Sequence, residues 1–351
     1  MKTLRLCVSA FILFIAFNVS AQYKIEILDS NTFHLGQGII LSKTSFRGLS
    51  VVDDKIIWVS GSKGTIARSI DGGKTFSFQQ LKGYEKSDFR DIEAFDEKRA
   101  IIMSSGTPAY ILKTIDGGQT WKEVYKNTDT TYFLDAMDFW NDKKGMLVGD
   151  PINGYFLLLQ TKDGGETWQQ LDTNKTPKAH LGEAVFAASG TSLRCGFDSI
   201  VAFGSGGKVA RIFYSNTYGN SWINSSTEII QGKSSQGIFS IVFENDGKMI
   251  RAIGGDYLND SSKFKSTILF EPSKSKSLVS GDDATNYKSC IEKHYSTQQI
   301  SCGTKGVDLN EYKKPKYIQI SKESFNVVRK AKNGKAVFLA GGKGKIGRLI
   351  Y

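Results

Sequence analysis

The residues best placed to do chemistry are aspartates in recurring surroundings. Asp71, Asp116 and Asp163 each stand in the pattern Ser/Thr-x-Asp-Gly-Gly-x-Thr followed by an aromatic residue, over 69–76, 114–121 and 161–168. A worn fourth copy at 215–222 loses the aspartate but keeps Gly219, the hydroxyls and Trp222. A carboxylate in such a setting could serve as an acid, a base or a metal ligand. Three near-identical copies on separate repeats cannot share one catalytic centre, however, and the further carboxylates that a calcium loop places at alternate positions are missing. The motif reads instead as a turn. Glycine supplies the positive φ, the Asp side chain accepts from nearby backbone N–H groups, and the aromatic ring packs between repeats. Asp71, Gly73 and Phe76, then Asp116, Gly118 and Trp121, then Asp163, Gly165 and Trp168, and finally Trp222, are therefore assigned to structure.

The copies are 45, 47 and 54 residues apart, the length of one supersecondary unit in a repeat architecture. In the second repeat, 89–95 alternates like a strand, 96–99 is a polar turn, 100–104 is a short apolar strand, and 110–114 and 121–125 are two more. Four antiparallel strands per unit make a β-propeller blade. Blades are expected over about 44–81, 87–125, 132–171, 179–225, 237–270, 287–320 and 325–351. The fourth has its inner strand lengthened through 185–194. The last is one strand short, and the alternating segment 23–28 can pair with it and close the ring. The expected fold is all-β: a single seven-bladed propeller of four-stranded antiparallel blades over residues 22–351.

The repeated motif resembles the Asp-box (BNR-like) of sialidase-type and sortilin-type propellers. The fuller pattern, from Phe133 through Trp140 to Gly149 and on into the third box, resembles the photosystem II stability/assembly factor-like family. The resemblance covers nearly all of the chain after residue 21 and is strongest in blades one to three. It implies a seven-bladed propeller and, as in the photosynthetic members, binding of a protein assembly intermediate. A sialidase would also show an Arg-Ile-Pro segment, and Phe46-Arg47-Gly48 lacks the Ile-Pro.

Residues 1–21 read as a secretory signal: basic Lys2 and Arg5, an apolar run over 6–17, and small residues ending at Ala21 as the cleavage site. An exported, periplasmic or secreted protein without a membrane span is expected. The formal charge of +11 suits an acidic partner, a protein or an anionic glycan. Neither a cofactor, a metal nor a nucleic-acid partner is expected, and the protein is read as a monomer. Cys290 and Cys302 are equidistant from Ser296, so a hairpin turning there sets them opposite each other, either as a disulfide or as two buried thiols. His294 is assigned to that hairpin's turn.

In a four-stranded blade, the start of the inner strand and the loop from second to third strand share one face, and the Asp-Gly-Gly turn lies on the other. Around that first mouth of the channel the sequence places Arg47, Arg90, Asp91, Asp135, His180, Glu183 and Lys288, with Tyr110, Asp150, Asp256 and Lys305 on the facing loops. Arg47, Arg90 and Lys288 each follow an aromatic residue in the same column, which makes them converge. Two functions fit. One is a non-catalytic binding propeller. The other is a glycan-active enzyme with Asp135 and Glu183 as acid and base across a scissile bond.

Overall fold

A computed structural model describes residues 23–279, 283–295, 298–311 and 314–351, and the expected signal segment with its expected cleavage site lies outside them. Seven antiparallel sheets are arranged in a ring. Their innermost strands are Phe46–Val51, Asp88–Ala94, Leu134–Phe139, Leu193–Cys195, Gln236–Glu244, Cys290–Tyr295 and Val327–Lys330. Each contacts the next, and the last contacts the first. Lys24–Ile27 pairs antiparallel with Ile346–Ile350, from Lys24 opposite Ile350 to Ile27 opposite Gly347, and completes blade seven. Closure joins the first and last described strands and covers the edge that an open ring would expose. Phe33–Leu35 adds a parallel fifth strand outside blade one. Among the described residues no helix is long and apolar enough to cross a membrane.

The Asp-Gly-Gly stretches are turns with a common bonding scheme. In the first, Ser69 Oγ accepts from the Gly73 N–H at 2.9 Å and donates to Asp71 at 2.8 Å, while Asp71 accepts from Thr75 N–H and hydroxyl at 3.0 and 2.7 Å. Asp116 and Asp163 repeat this with Thr120 and Thr167. In the worn copy Thr217 Oγ1 stands in for the carboxylate and accepts from the Ser221 N–H at 3.0 Å. The second glycine of each turn lies against the preceding blade. A Cβ there would come within 2.7 Å of Phe338 at Gly73, 3.3 Å of Trp58 at Gly118, and 2.3 Å of Ile101 at Gly165 and of Met146 at Gly219. The rings beside them join the inter-blade core: Phe76 is fully buried, and Trp121 packs edge-on to Trp58 at 6.3 Å. The turn thus fixes blade register and seals the seams between blades one to four and the blades that precede them.

Three segments depart from expectation. Blade four's inner strand is only Leu193–Cys195, and 185–192 is not its extension but crosses the channel. Glu183–Ala184 pairs with Gly206–Gly207, which joins blade five's inner strand at Gly237. Blade six has Gly306–Glu311 as its third strand and Lys314–Ser321 as its fourth. Cys290 and Cys302 are direct cross-strand partners, as the equidistance predicts, and both are free thiols. His294 sits within strand Cys290–Tyr295, not in the turn. It is buried, with its ring stacked on Tyr351 at 5.6 Å.

Candidate functional site at the channel mouth

A β-bulge recurs near the start of the inner strand. Phe46, Phe89, Leu134 and Ile238 pair with the second strand, and so do Gly48, Asp91, Ala136 and Ser240, but the residue between them is left out of the pairing. That residue is Arg47, Arg90, Asp135 or Phe239. A bulge re-aims its extra side chain, here to the mouth. Glycines at the end of the second strand give the register elsewhere: a Cβ at Gly61, Gly149, Gly303 or Gly341 would meet the carbonyl of Ser45, Phe133, Tyr287 or Ser324. Two residues on from those carbonyls stand Arg47, Asp135, Ser289 and Asn326. All six of these column residues line one cavity of about 360 Å³, together with Phe133, Phe186, Tyr257 and Tyr287.

Lys288 does not join the column, and this corrects the expected convergence. It stands one residue early, at the position of Phe46, Leu134, Ile238 and Phe325, whose side chains are buried between blades. A shift of one residue turns a strand side chain to the other side. Lys288 Nζ is accordingly fully buried, 3.0 Å from Asp308 and 2.9 Å from Asn286.

The segment 185–192 forms the floor of the mouth. Val185 N–H donates to Asp150 at 3.0 Å; Arg90 and Arg47 donate to the carbonyls of Ala187 and Ala188 at 3.5 and 3.3 Å; Ser189 Oγ donates to Ser289 O at 2.7 Å; and Thr191 Oγ1 bonds Ser240 at 2.6 Å. Gly190, at φ 68°, passes the Asp91 carboxylate so closely that a Cβ would fall 2.1 Å from it. Phe186 stacks on Phe239 at 3.9 Å, and Tyr287 meets Phe239 edge-on at 4.9 Å, which gives the cavity an aromatic wall.

The charges here are poorly compensated. Asp135 is fully buried, and among the described residues neither of its oxygens has a well-formed hydrogen bond. Burial, reinforced by Asp150, pushes its carboxyl well above the usual range against the pull of Arg90. Burial also raises Asp150 to about 6 and holds Asp91 well above its ordinary value, although Asp91 accepts from Ile92 and Met137 N–H groups at 2.8 and 2.7 Å. Arg90 pairs with Asp88 at 2.8 Å. Arg47 has no carboxylate within ion-pair reach among the described residues, and burial followed by repulsion from Arg90 lowers its pKa.

The remaining predicted residues sit elsewhere. Glu183 is buried and bound by Arg211 at 2.9 and 2.6 Å, by Ser205 Oγ at 2.5 Å and by the His180 N–H at 2.8 Å. It does not line the cavity that holds Asp135. The His180 side chain is exposed. Tyr110 packs edge-on to Tyr84 at 5.0 Å, Asp256 accepts from Gln236 at 2.9 Å, and Lys305 lies 3.6 Å from Asp260. Phe239, Ser289 and Asn326 escape a search for aromatic-plus-cation pairs. Counting from Gly61, Gly149, Gly254, Gly303 and Gly341 would have found them.

Residues 91–183 match the family described as photosynthesis system II assembly factor YCF48. A solved structure described as YCF48 bound to D1 peptide superposes with TM-score 0.60 at 14% identity, over 94% of this chain and 96% of that one. U3-55K superposes with TM-score 0.65 at 13% identity, over 93% and 98%, so the shape extends beyond one family. A stretch of 87 residues is 31% identical to vacuolar protein sorting/targeting protein 10 of Pyricularia oryzae. That stretch covers 24% of this chain and only 6% of the relative. The chain is a seven-bladed, BNR-type propeller that resembles the photosystem II assembly factor family.

Proposed function

We propose that the protein is a non-catalytic binding propeller that holds a segment of another protein at this mouth, with Arg47 and Arg90 receiving a carboxylate. The observation that carries the reading is Arg47. It is a half-buried guanidinium whose hydrogen bond goes to a backbone carbonyl and which has no ion-pair partner among the described residues. Such a group is suited to a charge-assisted bond with an incoming carboxylate, and the aromatic wall adds a surface for an apolar neighbour. The comparisons support the same class, since one similar structure is described as bound to a peptide and the matched family is described as an assembly factor. An acid–base pair of Asp135 and Glu183 is disfavoured because Arg211, Ser205 and His180 already occupy the Glu183 carboxylate. Export, with cleavage after Ala21, belongs to the proposal on the strength of the leader's residue pattern.

The test is to probe the chain from Gln22 onward with an acidic peptide library and, in parallel, an acidic oligosaccharide panel. Peptide capture is expected, weakened by salt and reduced at least about tenfold in the Arg47→Ala/Arg90→Ala double variant, with little change in melting temperature. Undiminished capture by the double variant would remove the mouth from the account. Binding of oligosaccharides alone would change the partner class.

A further inference from the structure

Blades one to four seal the seam to the preceding blade with the same parts. The first residue of the Gly-Gly pair donates its N–H to a carbonyl in the blade's own first hairpin: Gly72 to Lys55 at 3.0 Å, Gly117 to Lys98 at 2.9 Å, Gly164 to Lys143 at 2.8 Å, and Tyr218 to Ser199 at 3.0 Å. The residue before the motif on the preceding blade reaches toward the turn. Lys113 Nζ donates to Gly164 O at 2.8 Å, Gln160 Nε2 donates to Tyr218 O at 3.1 Å, and Arg68 lies against Gly117.

Blade five keeps the receiving parts and lacks the turn. Lys248 stands two residues before Ile250, the first residue of the second strand to pair with the third, as Lys55, Lys98 and Lys143 stand before Ile57, Ala100 and Gly145. Tyr214 of blade four holds the place of Arg68, Lys113 and Gln160, one residue before the motif. Where the turn should be, the chain runs from Glu271 through a short 3-10 turn, Pro272–Lys274, directly into Lys276–Val279. An open cleft of about 830 Å³ results, lined by Tyr214, Trp222, Ile223, Lys248, Met249 and Pro272 among others. It lies on the Asp-Gly-Gly face, opposite the mouth.

We infer that this cleft is a second protein-docking site, and that its occupant is a glycine-bearing turn of a partner protein followed by an aromatic residue. The partner supplies in trans the seal that blades one to four carry in cis. The Lys248 carbonyl takes the turn's N–H, glycine permits the close approach, and the partner's aromatic ring packs on the apolar wall. Four internal copies of this contact define the shape and the chemistry that fit.

The probe is a cyclised peptide carrying Thr-Ile-Asp-Gly-Gly-Gln-Thr-Trp, the protein's own blade-two turn, titrated calorimetrically against the folded protein. Saturable one-to-one binding is expected, weakened at least tenfold by Met249→Glu. A second protein, in which residues 272–275 are replaced by the same turn sequence, is expected to lose the binding and melt at a higher temperature. The inference is overturned by absence of binding to the unaltered protein, or by binding that survives in both altered proteins. Self-association that the graft abolishes would also overturn it, by making the occupant a second copy of this chain.

Discussion

Ionic groups of the same types meet opposite fates in the mouth and in the frame around it. In the frame, Lys288 is matched to Asp308, Glu183 to Arg211, and Glu292 to Arg194 and Arg329 at 3.0 and 3.7 Å. In the mouth, among the described residues, Arg47 hydrogen-bonds the Ala188 carbonyl without an ion-pair partner and Asp135 has no well-formed hydrogen bond. Asp135 is as fully buried as Lys288 and Asp308, so burial alone does not separate structural charges from those free to meet a ligand. Completeness of pairing does. A buried charge with all its partners holds blades together, whereas one lacking a partner carries a desolvation penalty that a ligand can relieve.

The largest effect expected from this contrast lies in the frame. Lys288→Met leaves Asp308 buried beside Thr285 without its cation, and chemical denaturation should show a loss of about 3–5 kcal/mol. Peptide capture should persist under conditions where the variant is folded. A variant of unchanged stability that loses capture would put Lys288 back in the mouth.

Asp135→Asn acts in the opposite direction. Asp135 has a folded pKa raised above its unfolded value, so the folded state holds its proton more tightly and the carboxyl costs stability increasingly as pH rises above about 3.8. Asparagine stays neutral, so denaturation at pH 7 should show a gain on the order of 1–3 kcal/mol. That gain should shrink as the pH falls toward the ordinary carboxyl range. A loss of stability at pH 7 would mean that Asp135 is a satisfied frame residue.

The smallest effect belongs to the Asp-Gly-Gly turns. The Thr120 hydroxyl and N–H bring Asp116 down to about 2, so its contribution is complete above about 3.8 and disappears as pH falls through 2. Asp116→Ala should lower the melting temperature slightly at pH 7 and by much less at pH 2, and it should leave peptide capture intact. Equal melting temperatures at pH 7 would deny the turn its role in register.

Much of the frame was legible because its signals are local. The Asp-Gly-Gly spacing set the blades, the alternation over 23–28 foretold the closing strand, and the equidistance about Ser296 gave the Cys290–Cys302 register. The mouth was legible only in part. Arg47 and Arg90 were found from their shared column, but Tyr287-Lys288 imitates Phe46-Arg47 while standing one residue out of phase with the bulge. The segment 185–194, which opens on the apolar Val185-Phe186-Ala187-Ala188, looked like a strand because strand propensity carries no sign of a neighbour across the channel. Its course depends on contacts with Arg47, Arg90, Ser240 and Ser289, which are distant in sequence. The match of Glu183 to Arg211 is likewise a tertiary fact that no spacing announces.

The most direct test of the mouth as the binding site is a hydrogen-exchange footprint of the protein with a captured acidic peptide. Slowed exchange is expected over 186–189 and 287–289, with no change at the turns around Asp71, Asp116 and Asp163. Protection confined to those turns, with the mouth exchanging as in the free protein, would contradict it.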